Sequence, residues 1–451
     1  MLEIEKLFSD ISSYIWGFPL IVLLIGGGLY LITYSRFIPF RYFFHAIDIV
    51  RGKYDNSNEK GEISHFAALS TALSATVGMG NIAGVSVAIS IGGPGAIFWM
   101  WISGIIGMST KFFTSSLAIM YRGKDSEGNI QGGPMYFITE GLGNKWKPLA
   151  VFFSVCGLIG ALPVFNVNQL KQAINDILLI PMGYEVTLQS NLLIGLALII
   201  ITSIVIIGGL KRISAVASKL VPLMVLVYMI SVIAIIAVNI EELPYYIKLI
   251  FYDAFTALNY RGDSVTGGVV GSLIILGIRR GAFSNEAGIG MAPMAHGAAK
   301  TNSPIREGLV AMLGPAIDTL FVCTLTALAI LITGVWETDL NGVTLTAAAF
   351  SNSLPLIGKY LLLICVVVFS VSSLFTYSYY GTKCLSYLLG EKNKKYYNYI
   401  YIISIMLGAT TSLSMMINLI DTFFALMAIP TMLATIILAP KVVEALKKYK
   451  I

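Results

Sequence analysis

The chain has 451 residues, 56% of them hydrophobic and only 12% charged, with a formal net charge of +6. Soluble domains carry about twice that charged fraction, so the composition excludes an ordinary soluble enzyme or binding module and points to a polytopic membrane protein. The basic excess is what the cytoplasmic loops of such a protein carry, and it is no signal for nucleic acid.

A helix needs about 20 apolar residues to cross a bilayer, and eleven segments are predicted to do so. The first is 14–35. Met1 to Ser12 ahead of it is mixed and acidic, with no basic n-region, and the apolar run is too long for a signal peptide, so it is read as a helix of the mature protein. The second, 64–91, is interrupted by glycines. The third, 94–121, starts at Pro94 after Gly92-Gly93, as a helix with Pro in its first turn does. The fourth, 147–180, reads as one helix long enough to tilt. The fifth is 190–208 and the sixth 213–239. The stretch 241–260 is amphipathic and is expected at the surface. The seventh, 267–298, is again interrupted. The eighth is 305–333, the ninth 358–388, the tenth 396–416 and the eleventh 419–439.

Lys and Arg alternate with these spans. Arg36, Arg41, Arg51, Lys53 and Lys60 follow the first, and Arg122, Lys124, Lys145 and Lys147 the third. Lys211 and Arg212, Lys300 and Arg306, Lys392, Lys394 and Lys395, and the tail lysines continue the series, whereas 91–93, 181–190 and 334–357 have none. The loop 240–267 has two basic residues against four acidic ones, Asp263 among them. Every second loop is basic, which puts the N-terminus outside and the C-terminus in the cytoplasm. The broken second and seventh segments lie five helices apart. An odd step between corresponding helices implies an inverted repeat, with the first helix outside a 5+5 core. The expected fold class is thus an all-α membrane protein. Its parts are a peripheral helix and loop (1–63), a first five-helix repeat (64–239), an extracellular segment (240–266), a second repeat (267–440) and a cytoplasmic tail (441–451).

The stretch from Ser74 to Asn81 carries Gly78 and Gly80 at the middle of the second segment. Such a Gly-x-Gly weakens a helix, and unwound backbone inside a bilayer is tolerated only where protein buries it or it lines a cavity. Two half-helices are expected to meet there. The open N–H groups of one suit a carboxylate and the open carbonyls of the other a cation. That is a site for a small zwitterion and a metal ion. The alternative is that the glycines only permit close helix packing.

Other polar residues fall inside spans. The ninth helix has Phe369-Ser-Val-Ser-Ser373, whose hydroxyls either bind an ion or bond back to their own carbonyls. The fourth has Phe165-Asn-Val-Asn-Gln169; Asn168 and Gln169 either bond the broken helices or join Phe165 in a pocket wall, and the wall is favoured. The seventh has Arg279, Arg280 and Glu286 on the cytoplasmic side of a break expected near Leu276, Gly277 and Ile278, although a break near Ser284-Asn285 fits equally. Those charges are either a gate or a static ion pair. Asp318 is either a proton site or, as the safer reading, a hydrogen-bonded helix contact. The four cysteines read as buried free thiols, and the three histidines look isolated and offer no zinc motif.

The motifs Thr76-Val-Gly-Met-Gly-Asn-Ile-Ala-Gly84, Gly92-Gly-Pro-Gly-Ala-Ile-Phe-Trp-Met-Trp-Ile102, Gly132-Gly-Pro-Met-Tyr136 and Arg280-Gly-Ala-Phe-Ser-Asn-Glu-Ala-Gly288 follow one another in order. Met312-Leu-Gly314 and Ile317-Asp-Thr319 add to them. With these the chain resembles, over nearly its whole length, the alanine or glycine:cation symporter family. The first two also resemble the leucine transporter. The resemblance implies that fold and Na+-coupled uptake of a small amino acid, alanine or glycine, with D-alanine left open. It implies that the amides of Met79 and Gly80 hold the substrate carboxylate, that Gly78 allows close approach, and that the Thr76 carbonyl faces the amino group. Gly277 and Ile278 would supply the other half of the pocket. The resemblance further implies a Na+ site made of the Ser74, Val77 and Phe369 carbonyls and the Ser372 and Ser373 hydroxyls, with Asn81 as ligand of a second cation. Such a protein sits in the cell membrane among lipids, with its oligomeric state open. The closest rival is a proton-coupled symporter. An ion channel would need a filter repeat, and an intramembrane enzyme a nucleophile–base pair or metal cluster; the sequence offers neither.

Overall fold

Backbone polar groups in an apolar chain must bond within their own segment, and helices dominate the molecule. The computed structural model describes residues 10–56, 58–262 and 268–450, so most of the acidic N-terminal stretch and Asp263 lie outside the described residues. Helix α1 is Pro19–Tyr34. The glycine-broken segment forms α2, His65–Thr76, and α3, Gly80–Gly92, bent by 50° where they meet. Ser64 starts α2 by accepting the Ala67 N–H at 3.2 Å. Helix α4 is Gly95–Met120. Its first N–H is taken at 2.9 Å by the buried carboxylate of Asp253, a negative group at a helix N-terminus. A two-stranded hairpin, Gly123–Lys124 with Ile130–Gln131, follows.

The fourth predicted span is interrupted. Helix α5, Lys147–Gly160, stops, and α6, Val164–Ile174, restarts after 161–163. Pro163 has no N–H to give the preceding turn and pushes Leu162 out of helical geometry. Helices α7, Leu188–Ile206, and α8, Gly209–Val238, come next. The amphipathic stretch forms α9, Leu243–Thr256, with Ile250, Asp253 and Ala254 buried and Tyr252 and Phe255 exposed.

Helix α10, Gly268–Asn285, runs on through Gly277, and the interruption falls at 286–291, before α11, Ala292–His296. The break expected at 276–278 is therefore corrected; the alternative near Ser284-Asn285 holds, the helix ending at Asn285. The backbone shows why: Glu286 at φ 55°, Gly288 at 85° and Gly290 at 104° cannot continue a right-handed helix. Gly277 instead lets α10 lie on α4. A Cβ there would sit 2.5 Å from that of Trp99 and 2.7 Å from the Ala96 carbonyl oxygen. Gly277→Ala is expected to cost about 1–3 kcal/mol by overpacking, read as a lower melting temperature in detergent. Ile278 is buried beside it in the same helix.

Helix α12 covers Pro304–Ile332, with a widened π turn at Ala316–Cys323 around Asp318. The loop after it contains α13, Gly342–Ser353, which the hydropathy pattern does not announce. Then come α14, Gly358–Leu389, α15, Lys395–Thr410, and α16, Leu413–Lys448. Among the described residues seven spans are long and apolar enough to cross a membrane, with α5 and α6 taken together as the single span Asn144–Leu179, or eight if the bent α2–α3 pair counts as one; α1 is apolar but shorter. Helix α4 sits centrally against α10 and α12, and α14 packs on α2, α5 and α8. Helices α7 and α8 form a rim whose exposed Leu193, Ile200, Ile204, Leu223 and Ile230 suit lipid. All four cysteines are buried and unpaired.

Candidate functional site

The break after Thr76 lays its backbone against α14. Ser373 Oγ lies 2.9 Å from the Ser74 carbonyl oxygen, 3.0 Å from that of Phe369 and 3.4 Å from that of Ala75. Ser372 Oγ donates to the Phe369 carbonyl at 3.0 Å. Gly78 permits this approach, because a Cβ there would stand 2.6 Å from Ser373 Oγ. Val77 closes the last turn of α2 through its N–H to Leu73, and its side chain is buried. The structure thus gathers Ser74, Phe369, Ser372 and Ser373, with Val77 in the adjoining turn. It adds two groups the sequence reading missed. One is the Ala75 carbonyl. The other is Thr376, whose hydroxyl meets that of Ser74 at 2.7 Å and sits one helical turn beyond Ser372 and Ser373, a spacing that could have revealed it. Neutral oxygens gathered in a dry site suit a hard monovalent cation. Among the described residues no group of His, Cys, Asp or Glu is arranged to hold a metal ion.

Next to the oxygen cluster lies a cavity of about 20 Å³ whose walls include Thr76, Gly80, Phe165, Phe283, Tyr377 and Phe424. Aromatic rings close it. Phe283 meets Phe165 edge-on at 5.1 Å between centroids and Phe424 at 5.7 Å. Gly80 opens α3, so its N–H has no partner within that helix; Met79, just before it, is buried. Phe165 is in the wall as expected, joined by Asn166. Asn168 and Gln169 are not. Asn168 donates to the Thr411 carbonyl at 2.7 Å, and Gln169 accepts the Val343 N–H at 3.1 Å. Both amides fasten α6 to the ends of α15 and α13, because buried amides take the nearest backbone partners.

Asn81 is held on both sides. Its Oδ1 accepts the Gly78 N–H at 2.9 Å and its Nδ2 donates to Asp318 Oδ1 at 2.7 Å. Asp318 Oδ2 accepts from Ser284 at 2.7 Å and Thr319 at 2.8 Å. Asp318 is thus a hydrogen-bonded contact joining α3, α10 and α12, the safer of its two readings. Lys111 of α4, missed in the sequence, is buried within electrostatic reach of Asp318 and Glu286.

The three charges of the seventh segment do not pair with one another. Arg279 and Arg280 both reach Asp421 Oδ2 of α16, at 2.6 Å each. Glu286 accepts from Tyr377 at 2.5 Å. With the break at 286–291, both arginines lie before it rather than beyond it, a correction to the expected side. Asp421 was overlooked, although a lone carboxylate in the apolar run 419–439 is itself a signal. The histidines are not all isolated either. His65 and His296 each place Nδ1 on the buried carboxylate of Glu307, His296 at 2.6 Å.

Two broken helices around one buried cavity, with a cluster of neutral oxygens at the break, define a secondary transporter. Residues 1–451 match the model of the sodium:alanine symporter family, and the chain belongs to that family. It is a transporter family, so the protein is not an enzyme, and the channel reading has no support. Relatives include the sodium/alanine symporter AgcS of Methanococcus maripaludis, 38% identical over 99% of this chain and 98% of that one. The probable sodium/glutamine symporter GlnT of Bacillus subtilis is 34% identical over 99% of this chain and 91% of that one. Among solved structures, MhsT in complex with L-phenylalanine matches with a TM-score of 0.61 at 15% identity, over 84% of this chain and 90% of that one. That likeness shows the leucine-transporter fold.

Proposed function

We propose that the protein carries alanine or glycine into the cell together with Na+. The observation that carries this reading is the meeting of Ser373 Oγ with the Ser74 and Phe369 carbonyls at the α2–α3 break. The cation sits among those oxygens, with Ser372 and the Val77 carbonyl completing its shell. The substrate lies in the adjoining cavity, its carboxylate on the Met79 and Gly80 amides and its amino group toward the Thr76 carbonyl. Three phenylalanines around so small a space favour a substrate with a hydrogen or a methyl side chain. Asn81 Oδ1 accepts the Gly78 N–H with one lone pair and keeps the second for a second cation. The chain crosses the cell membrane eleven times as a peripheral helix plus a 5+5 inverted repeat, N-terminus outside and C-terminus inside. Arg279 and Arg280 on Asp421 form the outer gate, and Glu286 on Tyr377 borders the pocket. Rocking of the bundle alternates access.

Equilibrium binding of labelled L-alanine to the purified protein tests this. Binding should require Na+ and be displaced by glycine and D-alanine. Displacement by glutamine as effective as that by alanine would contradict the small-substrate reading.

A further inference from the structure

Two cationic side chains, Arg122 and Lys383, converge on the segment that follows the break after α10. Arg122, just past α4, donates to the carbonyls of Gly297 and Thr301, both at 2.9 Å, and to that of Ala299. His296 is tied to Glu307. Lys383 of α14 donates to the Met294 carbonyl at 3.4 Å and to the Gly132 carbonyl at 3.1 Å. Gly132 belongs to the Gly-Gly-Pro turn, and the turn is seated directly on this segment: a Cβ at Gly132 would stand 2.7 Å from Gly297 Cα.

Lys383 differs from Arg122. It is 7% exposed in a membrane helix, where a buried charge marks function by default. It donates its hydrogen bonds to carbonyl dipoles, which hold an ammonium less firmly than a carboxylate does. It also lines a cavity of about 420 Å³ whose wall includes Glu62, Glu391, Lys394 and Lys395. Glu391 is engaged by Lys394 and Ser386, while Glu62 is exposed. Ten residues separate Lys383 from Ser373 on one continuous helix, about 15 Å along its axis. The ion-binding hydroxyl and the ammonium therefore ride on the same rigid rod.

We propose that Lys383 is the bolt of the inner gate: on the Gly132 and Met294 carbonyls it holds α11 closed against α14, and opening moves it to the Glu62 carboxylate across the adjoining cavity. This makes Lys383 a positioning residue that touches neither substrate nor ion. The proposal rests on the alternating-access reading above.

Hydrogen–deuterium exchange of the full chain in lipid nanodiscs, with alanine uptake measured in parallel, tests both. In the wild type, Na+ plus alanine should change exchange at 291–301; a segment indifferent to both would overturn alternating access itself. Given that response, Lys383→Met should speed exchange at 291–301 and 131–136 by about tenfold and leave α4 and α8 unchanged. No change in those segments, or a rise over the whole chain, overturns the bolt and leaves Lys383 a scaffold residue. Glu62→Gln alters an exposed residue and keeps the test open if Lys383→Met does not fold. It should slow exchange at 291–301 and lower the maximal uptake rate severalfold, with the half-saturating alanine concentration unchanged. An unaltered maximal rate overturns the transfer to Glu62.

Discussion

Replacing Ser372 and Ser373 together with alanine is expected to raise the Na+ concentration for half-maximal alanine uptake by about a hundredfold. A hydroxyl bonded to a charged partner contributes about 1.5–3 kcal/mol, and the pair supplies two of the proposed ligands. The two serines are not equal. Ser373 Oγ spans the carbonyls of Ser74, Ala75 and Phe369, so it bridges α2 and α14, whereas Ser372 Oγ reaches the Phe369 carbonyl of its own helix. Ser373→Ala alone should therefore have the larger effect. A Na+ titration of uptake, beside melting curves to separate ion binding from folding, reads the difference. A proton-coupled protein would show no change in Na+ dependence in either variant.

Asp421→Ala is expected to be the most destabilising single substitution discussed. It leaves two arginines facing a site with no carboxylate, and removing one partner of a buried pair costs about 3–5 kcal/mol. Arg280 is 5% and Arg279 15% exposed in their side chains, against 0% for Asp421. The network also reaches the turn ahead of α1, because Arg279 stacks over the Trp16 ring at 5.7 Å and Trp16 Nε1 donates to the Asp421 carbonyl at 2.9 Å. Arg279→Gln should cost much less, since Arg280 still pairs with the carboxylate. Thermal melting of the three proteins in detergent would show the order; Arg279→Gln as damaging as Asp421→Ala would refute it.

Hydropathy located most of the long helices, though neither α13 nor the interruption at 161–163, and glycine placement located the break at Gly78, because each reports a local backbone property. The α14 hydroxyls proposed to bind the ion needed more. A Ser-x-x-Ser-Ser pattern says nothing of the carbonyls it meets, and those lie about 300 positions earlier in the chain. The break in the seventh segment was harder to place. Glycines at 277, 281, 288 and 290 offered several sites, and two of them turned out to be packing glycines, Gly277 against Trp99 and Gly281 against Ser103. Charge pairing was the least legible. Arg279, Arg280 and Glu286 are neighbours in sequence, yet their partners Asp421 and Tyr377 come from other helices. The same holds for Asn168 and Gln169, whose polarity suggested a pocket wall and whose bonds go to Thr411 and Val343.

The central claim is Na+-coupled entry of a small amino acid through the site at the α2–α3 break. Uptake of labelled alanine into proteoliposomes under an inward Na+ gradient, against an inward H+ gradient, tests it most directly. Accumulation driven by Na+ alone is the predicted result. Accumulation driven by H+ alone would contradict the assignment of the Ser372–Ser373 cluster to Na+ and return attention to Asp318.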